Sequence, residues 1–263
     1  MSTDSFDEFL KYMLSQNNNS SKHFSKKPKV VAVIMTYNCA RLLPKAYEQI
    51  PKQLVDEIII TDDGSKDNVE QVARQLGVTF YKHSPNRGYG GNLKEGLRLA
   101  LLHGADYIVE IHGDGQFHPR ALNYAMPYIE EGRDFIIGSR FQEPFRALKN
   151  GMPLIRFTAN MGLSFISRLI LRIPFTEFHT GFRIYSKQLL KKIPWEKNSD
   201  DHKCSFQIMS QVAYVHAAVA EVPVEADYRG DHTSLSLPGA FIYALQSFVT
   251  MFNFLLARFG IFH

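Results

Sequence analysis

From Lys29 onward, short apolar runs rich in β-branched residues alternate with longer polar stretches whose apolar positions recur every three to four residues. Val30–Met35 and Glu57–Thr61 are runs of the first kind, and Val78–Tyr81, Tyr107–Ile111 and Phe135–Gly138 supply three shorter ones. The stretches Cys39–Ile50, Asn68–Leu76, Gly90–Leu102 and Pro119–Glu131 between them read as helices. This alternation predicts an α/β fold with a mostly parallel central sheet flanked by helices on both faces. In such sheets ligands bind beyond the carboxyl ends of the strands. Unusual residues at those ends are therefore the first functional candidates.

The two ends of the chain have other patterns. Phe6, Phe9, Leu10, Met13 and Leu14 recur at helical spacing, and Gln16–Lys29 is an Asn/Ser/Lys-rich linker, so residues 1–28 read as an arm ahead of a domain over 29–231. Acids precede the first apolar cluster, which argues against a signal peptide. From His232 to the last residue, Arg258 is the only Lys, Arg, Asp or Glu. Within that segment Ala240–Ala257 is interrupted only by Gln246, Ser247, Thr250 and Asn253, a narrow polar stripe on a wide apolar face. A spanning helix needs about 20 mostly apolar residues. An amphipathic helix lying on a membrane fits residues 232–263 better, with a core helix packed on the sheet as the alternative. Asn160–Ile173 sets Met161, Phe165 and Leu169 beside Arg168 and Arg172 and forms a second basic amphipathic candidate.

Composition narrows the class. A 263-residue chain that is 45% hydrophobic is neither disordered nor a disulfide scaffold, and its two cysteines, Cys39 and Cys204, suit a reducing compartment. The net charge of +4 conceals an asymmetry, because Phe145–Lys192 holds nine Lys/Arg against one acid, Glu177. That segment carries +8 and the remainder −4. An anionic partner is implied: nucleic acid, phospholipid or a phosphorylated substrate. The bases alternate with large apolar residues and no nucleic-acid motif is present, which argues against the first.

The strand ends carry distinctive residues. Thr36-Tyr37-Asn38 follows the first run, and Asp62-Asp63-Gly64-Ser65-Lys66-Asp67 follows the second. Adjacent acids on a turn can hold a base, a ribose or a cation, or simply open a capped helix. Asn86-Arg87-Gly88-Tyr89-Gly90-Gly91-Asn92 lets backbone approach a ligand closely beside helical N–H groups, but lacks both dinucleotide-binding and P-loop spacing. In His112-Gly113-Asp114-Gly115-Gln116, an extended chain would project His112, Asp114 and Gln116 to one side. Those three could hold Mg²⁺ or Mn²⁺ on a diphosphate, or Asp114 could cap the next helix. Arg140 in Gly138-Ser139-Arg140 could grip a phosphate or form a structural ion pair.

Together with His179-Thr180-Gly181-Phe182-Arg183, these motifs occur in an order that resembles family 2 glycosyltransferases of the GT-A fold, in particular the dolichol-phosphate mannose/glucose synthase-like branch. The resemblance runs from about Lys29 to the C-terminus. It implies nucleotide contacts at Thr36, Tyr37, Asn38 and Asp63, with Asp62, Gly88, Asn92 and Gly113 beside them. It implies a metal site at Asp114 and Gln116, with His112 standing where the family has an acid. An imidazole there would favour Mn²⁺ over Mg²⁺. Arg140 and Arg156 match arginines that bind acceptor phosphate or donor diphosphate. Arg183 and Arg229 are further phosphate candidates, each also readable as a salt-bridge residue, and Glu177 or His179 could lie near the reacting sugar.

The activity implied is metal-dependent, inverting transfer of a hexose from a nucleotide-diphospho-sugar to a dolichyl- or undecaprenyl-type polyprenyl phosphate. It would take place at the cytoplasmic face of a membrane, by a peripheral protein able to oligomerise. A phosphate monoester is already largely ionised at neutral pH and needs cations more than a general base. The alternatives are transfer to a saccharide hydroxyl, or a non-catalytic nucleotide-sugar-binding protein.

Overall fold

The structure, a computed structural model, describes residues 27–228 and 237–260. The first apolar run forms β1 (Val30–Thr36), buried along its whole length. A parallel strand covered on both faces is apolar at every position, which is why the run is unbroken. The remaining runs form β2 (Glu57–Asp62), β3 (Thr79–Lys82), β4 (Tyr107–His112) and β5 (Phe135–Ser139), and the intervening stretches form α1 (Leu43–Glu48), α2 (Val69–Leu76), α3 (Gly88–Leu102) and α4 (Leu122–Glu130). After α5 (Pro144–Lys149) and α6 (Leu154–Leu171) come two strands absent from the sequence pattern, β6 (Arg183–Ser186) and β7 (Val219–Pro223). Between these lie α7 (Lys187–Lys192) and α8 (Lys203–Tyr214), and α9 (Leu237–Arg258) closes the described chain.

The sheet order is β3-β2-β1-β4-β6-β5-β7. β6 runs antiparallel to both neighbours, and every other pairing is parallel. Its register sets Arg183 opposite Glu110 of β4. Successive β1 side chains point to opposite faces, and two cores follow from that period. Val31, Val33 and Met35 pack with Leu93 and Leu97 of α3 and Phe206 of α8, while Val30, Ala32 and Ile34 pack with Leu43 of α1 and Leu122 of α4.

The long helices α6 and α9 invert the usual amphipathic arrangement. α9 packs on α8 and α6. Its Ser247 and Thr250 turn inward and donate to the carbonyls of Tyr243 (2.9 Å) and Gln246 (2.8 Å), whereas Phe241, Ile242, Leu245 and Phe252 face outward and are exposed. On α6, Ser164 and Ser167 are buried while Phe165 and Leu169 are each 61% exposed. The buried serines and threonine thus face the protein, although Thr158, Asn253 and Arg258 are exposed, and the apolar face is left uncovered. Both helices are long and apolar enough to cross a membrane by length and composition. α6 also begins earlier than the sequence pattern places it, which puts Arg156 in its first turn and not in a loop. The N-terminal arm and Arg229 lie outside the described residues.

The inversion predicts opposite stability responses on the two sides of α6. Phe165→Ser on the exposed face should change the melting temperature in detergent little, within about 0.5 kcal/mol. Ser167→Leu on the buried face should destabilise by about 1–3 kcal/mol, because overpacking displaces neighbours. Thermal unfolding followed by circular dichroism measures both.

Candidate active site

A cavity of ≈ 790 Å³ opens at the carboxyl ends of β1, β2, β4 and β5 and continues between α6 and α9. Its walls include Thr36, Tyr37, Asp63, Gly88, Asn92, His112, Gly113, Asp114, Gln116, Arg140, Arg156, His179 and Arg183. Most of the sequence-predicted residues thus meet at one place, as the topology of an open α/β sheet requires.

Asn38 and Asp62 serve the wall from behind it. The Asn38 side-chain oxygen accepts from Lys66 N (2.9 Å), and its own N–H donates to Ser65 Oγ (2.8 Å), with the backbone at φ +48. The fully buried Asp62 accepts from Thr36 Oγ1 (3.0 Å) and from the N–H and hydroxyl of Ser65. Together they lock the loop after β1 to the loop after β2. Asp63 reaches the cavity while its carboxylate takes the N–H groups of Arg87 (2.7 Å) and Gly88 (2.9 Å). Burial raises its pKa. Asn92 donates to the carbonyls of Thr36 and Thr61 (both 3.3 Å), and its buried Oδ1 has no hydrogen-bond partner among the described residues.

The glycine-rich start of α3 departs from the expectation of ligand-facing N–H groups. Gly90 N (2.8 Å) and Gly91 N (3.2 Å) both donate to Asp200 O. A Cβ on Gly88 would lie 2.6 Å from that same oxygen. The close approach these glycines permit is therefore made by the loop ahead of α8.

The chain after β4 does not stay extended. Gly115 takes φ +66, a left-handed conformation glycine adopts without penalty, and Asp114 Oδ1 accepts from Gln116 N (3.0 Å). His112 parts from the other two: its Nε2 lies 3.3 Å from Glu110 Oε1, and its ring packs so tightly on Gly181 that any Cβ there would collide with it. The projection of His112, Asp114 and Gln116 to one side is thereby corrected. Among the described residues no group of three His, Cys, Asp or Glu could enclose a metal. Asp114 and Gln116 still fit one in a narrower sense. They bring a carboxylate and an amide oxygen to the wall, a partial set of the kind Mg²⁺ and Mn²⁺ complete with phosphate oxygens and water.

Two buried ion pairs floor the cavity. Arg183 Nη1 contacts Glu110 Oε1 (3.2 Å), Ser205 Oγ (3.0 Å) and the Tyr89 hydroxyl (3.2 Å), while Tyr185 donates to Glu110 Oε2. Burial works to raise the Glu110 pKa, but Arg183 and the hydrogen bonds outweigh it and hold it below the usual carboxylate range. Arg140 donates through Nε to Glu177 Oε1 (2.8 Å) and through Nη1 to the Tyr228 hydroxyl (2.7 Å). Glu177 itself is fully buried and does not line the cavity, so it anchors Arg140. The basic segment is thus partly neutralised by acids distant in sequence: Arg183 by Glu110, and Arg146 by Glu225. His179 stacks on Phe206 at 5.6 Å and meets the Tyr243 hydroxyl of α9 through Nδ1 (3.2 Å). Burial, then Arg140 and Arg183, push its pKa down to about 3. Tyr89, His202, Ser205, Tyr243 and Phe248 also line the cavity. Tyr89 lies in the glycine-rich motif after β3, but the other four stand in no motif, because they arrive from α9 and the region where α8 begins.

The family model for glycosyl transferase family 2 matches residues 31–194, more than half the chain, and the chain belongs to that family. It is a nucleotide-sugar-dependent glycosyltransferase. Among its relatives, the UDP-N-acetylglucosamine–dolichyl-phosphate N-acetylglucosaminyltransferase of Methanococcus voltae is 29% identical over 76% of this chain and 86% of its own length. The polyprenol monophosphomannose synthase of Mycolicibacterium smegmatis is 26% identical over 74% and 76%. These are relatives of the branch the motifs imply. The crystal structure of glucosyl-3-phosphoglycerate synthase from Mycobacterium tuberculosis with Mn²⁺, UDP and glucosyl-3-phosphoglycerate superposes with a TM-score of 0.64, at 18% identity over 89% of this chain and 81% of that one. At that identity it shows the fold, the GT-A architecture expected from the motifs.

The low pKa of His179 makes a signed prediction. Its folded value lies below its unfolded value of about 6.5, so the neutral ring stabilises fully above that pH and loses its contribution as pH falls towards about 3. His179→Phe should therefore flatten the acid limb of a plot of melting temperature against pH. An unchanged acid limb would contradict the burial argument.

Proposed function

We propose that the chain transfers a hexose from a nucleotide-diphospho-sugar to a polyprenyl phosphate at a membrane surface. The observation that carries this reading is the continuity of the cavity. It runs from the polar strand ends, past Arg140 and Arg156, into walls made by Ile155, Ala159 and Leu163 of α6 and Ala244 and Phe248 of α9. The outer faces of those two helices are apolar as well. A phosphate on an apolar chain matches that sequence of surfaces, with its tail between the helices and their exposed faces in the bilayer interface. The names of the two relatives point to the same acceptor class. The two buried, unpaired cysteines suit a reducing compartment, and so a cytoplasmic face.

The acids support a phosphate nucleophile over a hydroxyl. Among the described residues the carboxylates lining the cavity are Asp63 and Asp114, and both already accept backbone N–H groups. Glu177 and Glu110 are bound in ion pairs, and His179 titrates too low to act as a base near neutral pH. A hydroxyl acceptor would need a base, for which the cavity wall offers the imidazoles of His112 and His202 rather than these acids, whereas a phosphate monoester needs none. Arg156 on the wall and Arg140, fixed by Glu177 and Tyr228, would position the acceptor phosphate against the donor. Asp114 and Gln116 would hold Mn²⁺ or Mg²⁺ against the donor diphosphate. That ion would supply charge stabilisation for the departing nucleoside diphosphate. Attack from the side opposite the diphosphate inverts the anomeric centre.

The test is a panel of UDP- and GDP-sugars with polyprenyl phosphate in vesicles and either metal, reading lipid-linked product. Arg156→Ala should lower transfer by about a hundredfold or more and leave nucleotide-sugar affinity within about threefold. Comparable transfer to free saccharide hydroxyls, or full activity of that variant, would overturn the acceptor assignment. In vesicle flotation the wild type should rise with the lipid, and a variant with Phe241, Ile242, Leu245 and Phe252 all changed to Ser should stay at the bottom.

A further inference from the structure

The loop between the 3₁₀ turn at Trp195–Lys197 and α8 is anchored far more firmly than an ordinary connection. Lys94 Nζ, almost wholly buried, donates to Asn198 O (2.6 Å) and pairs with Asp200 Oδ1 (2.7 Å). The Asp200 carbonyl accepts from Gly90 and Gly91 at the start of α3, and Ser199 N donates to Gln207 Oε1 (2.8 Å). From α9, Gln246 Nε2 reaches Asp201 Oδ2 (3.2 Å). The next residue is His202, an exposed imidazole on the cavity wall whose ring lies 5.0 Å from that of Tyr89. Tyr89 is itself fixed through its hydroxyl by Glu110 and Ser205, and its ring meets His112 edge-on at 5.7 Å. An anchored loop therefore delivers a ring of set orientation whose nitrogens have no hydrogen-bond partner among the described residues.

We propose that His202 is a specificity residue that hydrogen-bonds hydroxyl groups of the donor's sugar ring. The proposal rests on the nucleotide-sugar donor. Desolvation on the side packed against Tyr89, and then the neighbouring His112, lower its pKa from the usual imidazole value although Asp201 opposes them. A neutral imidazole presents one donor and one acceptor, as a sugar hydroxyl does, whereas a phosphate offers acceptors and calls for cations. His202 adjoins Tyr89, whose ring meets His112, and all three line the same cavity that also holds Asp63, Asp114 and the residues of α6 and α9. A hexosyl group linked to a diphosphate near Asp114 would lie in that cavity. The tight glycines at 88 and 90 acquire a function on this account, since a side chain at either would push back the loop that carries His202.

The experiment compares the wild type with His202→Ala and His202→Gln, titrating the preferred nucleotide-sugar and its parent nucleoside diphosphate separately. It also measures kcat/KM for donors that are epimers at one ring carbon. His202→Ala should weaken the nucleotide-sugar by about tenfold or more and leave the nucleoside diphosphate within about twofold. Discrimination between epimers should narrow, and His202→Gln should restore part of it by returning a hydrogen-bonding group. Equal losses for nucleotide-sugar and nucleoside diphosphate would assign His202 a purely structural part and overturn the proposal. So would unchanged epimer discrimination in both variants. A wild type that binds nucleotide-sugar no more tightly than nucleoside diphosphate would remove the sugar contact itself. That result is separate from failure of the acceptor assignment, because no acceptor is present in the binding arm.

Discussion

Glu110 and Arg183 face each other across the β4–β6 register with both side chains out of water, and the geometry of the cavity floor depends on that pair. A buried ion pair is tolerated only when its remaining hydrogen-bonding capacity is met, and removing one partner costs about 3–5 kcal/mol. Tyr89, Tyr185, Ser205 and His112 meet most of that capacity. Each comes from a different element or strand position, so one electrostatic requirement draws α3, β4, β6 and α8 to the same point. The segment ahead of β6, from Glu177 to Phe182, is thereby held at the cavity. There Glu177 fixes Arg140, and Gly181 lies flat against the His112 ring.

A second constraint acts at the edge of the cavity. α6 and α9 turn their hydroxyl side chains inward, where those groups bond back to their own helices, and turn Phe, Leu and Ile outward. In water this arrangement leaves a large apolar face uncovered, which soluble surfaces ordinarily avoid. Against lipid, as the proposed function has it, the same face would be covered. On the proposed function, the polar floor would take the two phosphates and the apolar walls the chain.

Much of the fold was legible in the sequence because parallel strands covered on both faces leave unbroken apolar runs, as at Val30–Thr36. β6 was not, since its four residues Arg-Ile-Tyr-Ser begin with a charge whose partner lies 73 positions away. The position of most site residues followed from their strand ends. Their roles did not, because a role depends on partners. Glu110 contacts one ring nitrogen of His112 and Arg140 is held by Glu177, contacts that no motif displays. The positive segment is less bare than its sequence suggests, as Arg183 and Arg146 pair with Glu110 and Glu225 from distant parts of the chain. His202 carries no motif, and only the anchoring of its loop on α3 distinguishes it from a surface histidine.

The central claim is that donor and lipid phosphate meet in one cavity that opens between α6 and α9. Its most direct test is photo-crosslinking in vesicles with a polyprenyl phosphate carrying a photoreactive group near its phosphate end, followed by peptide mapping of the adducts. The account predicts adducts on α6 and α9 around Ile155, Ala159, Leu163, Ala244 and Phe248, suppressed by excess unlabelled polyprenyl phosphate. Adducts confined to other surfaces, or insensitive to that competitor, would contradict it.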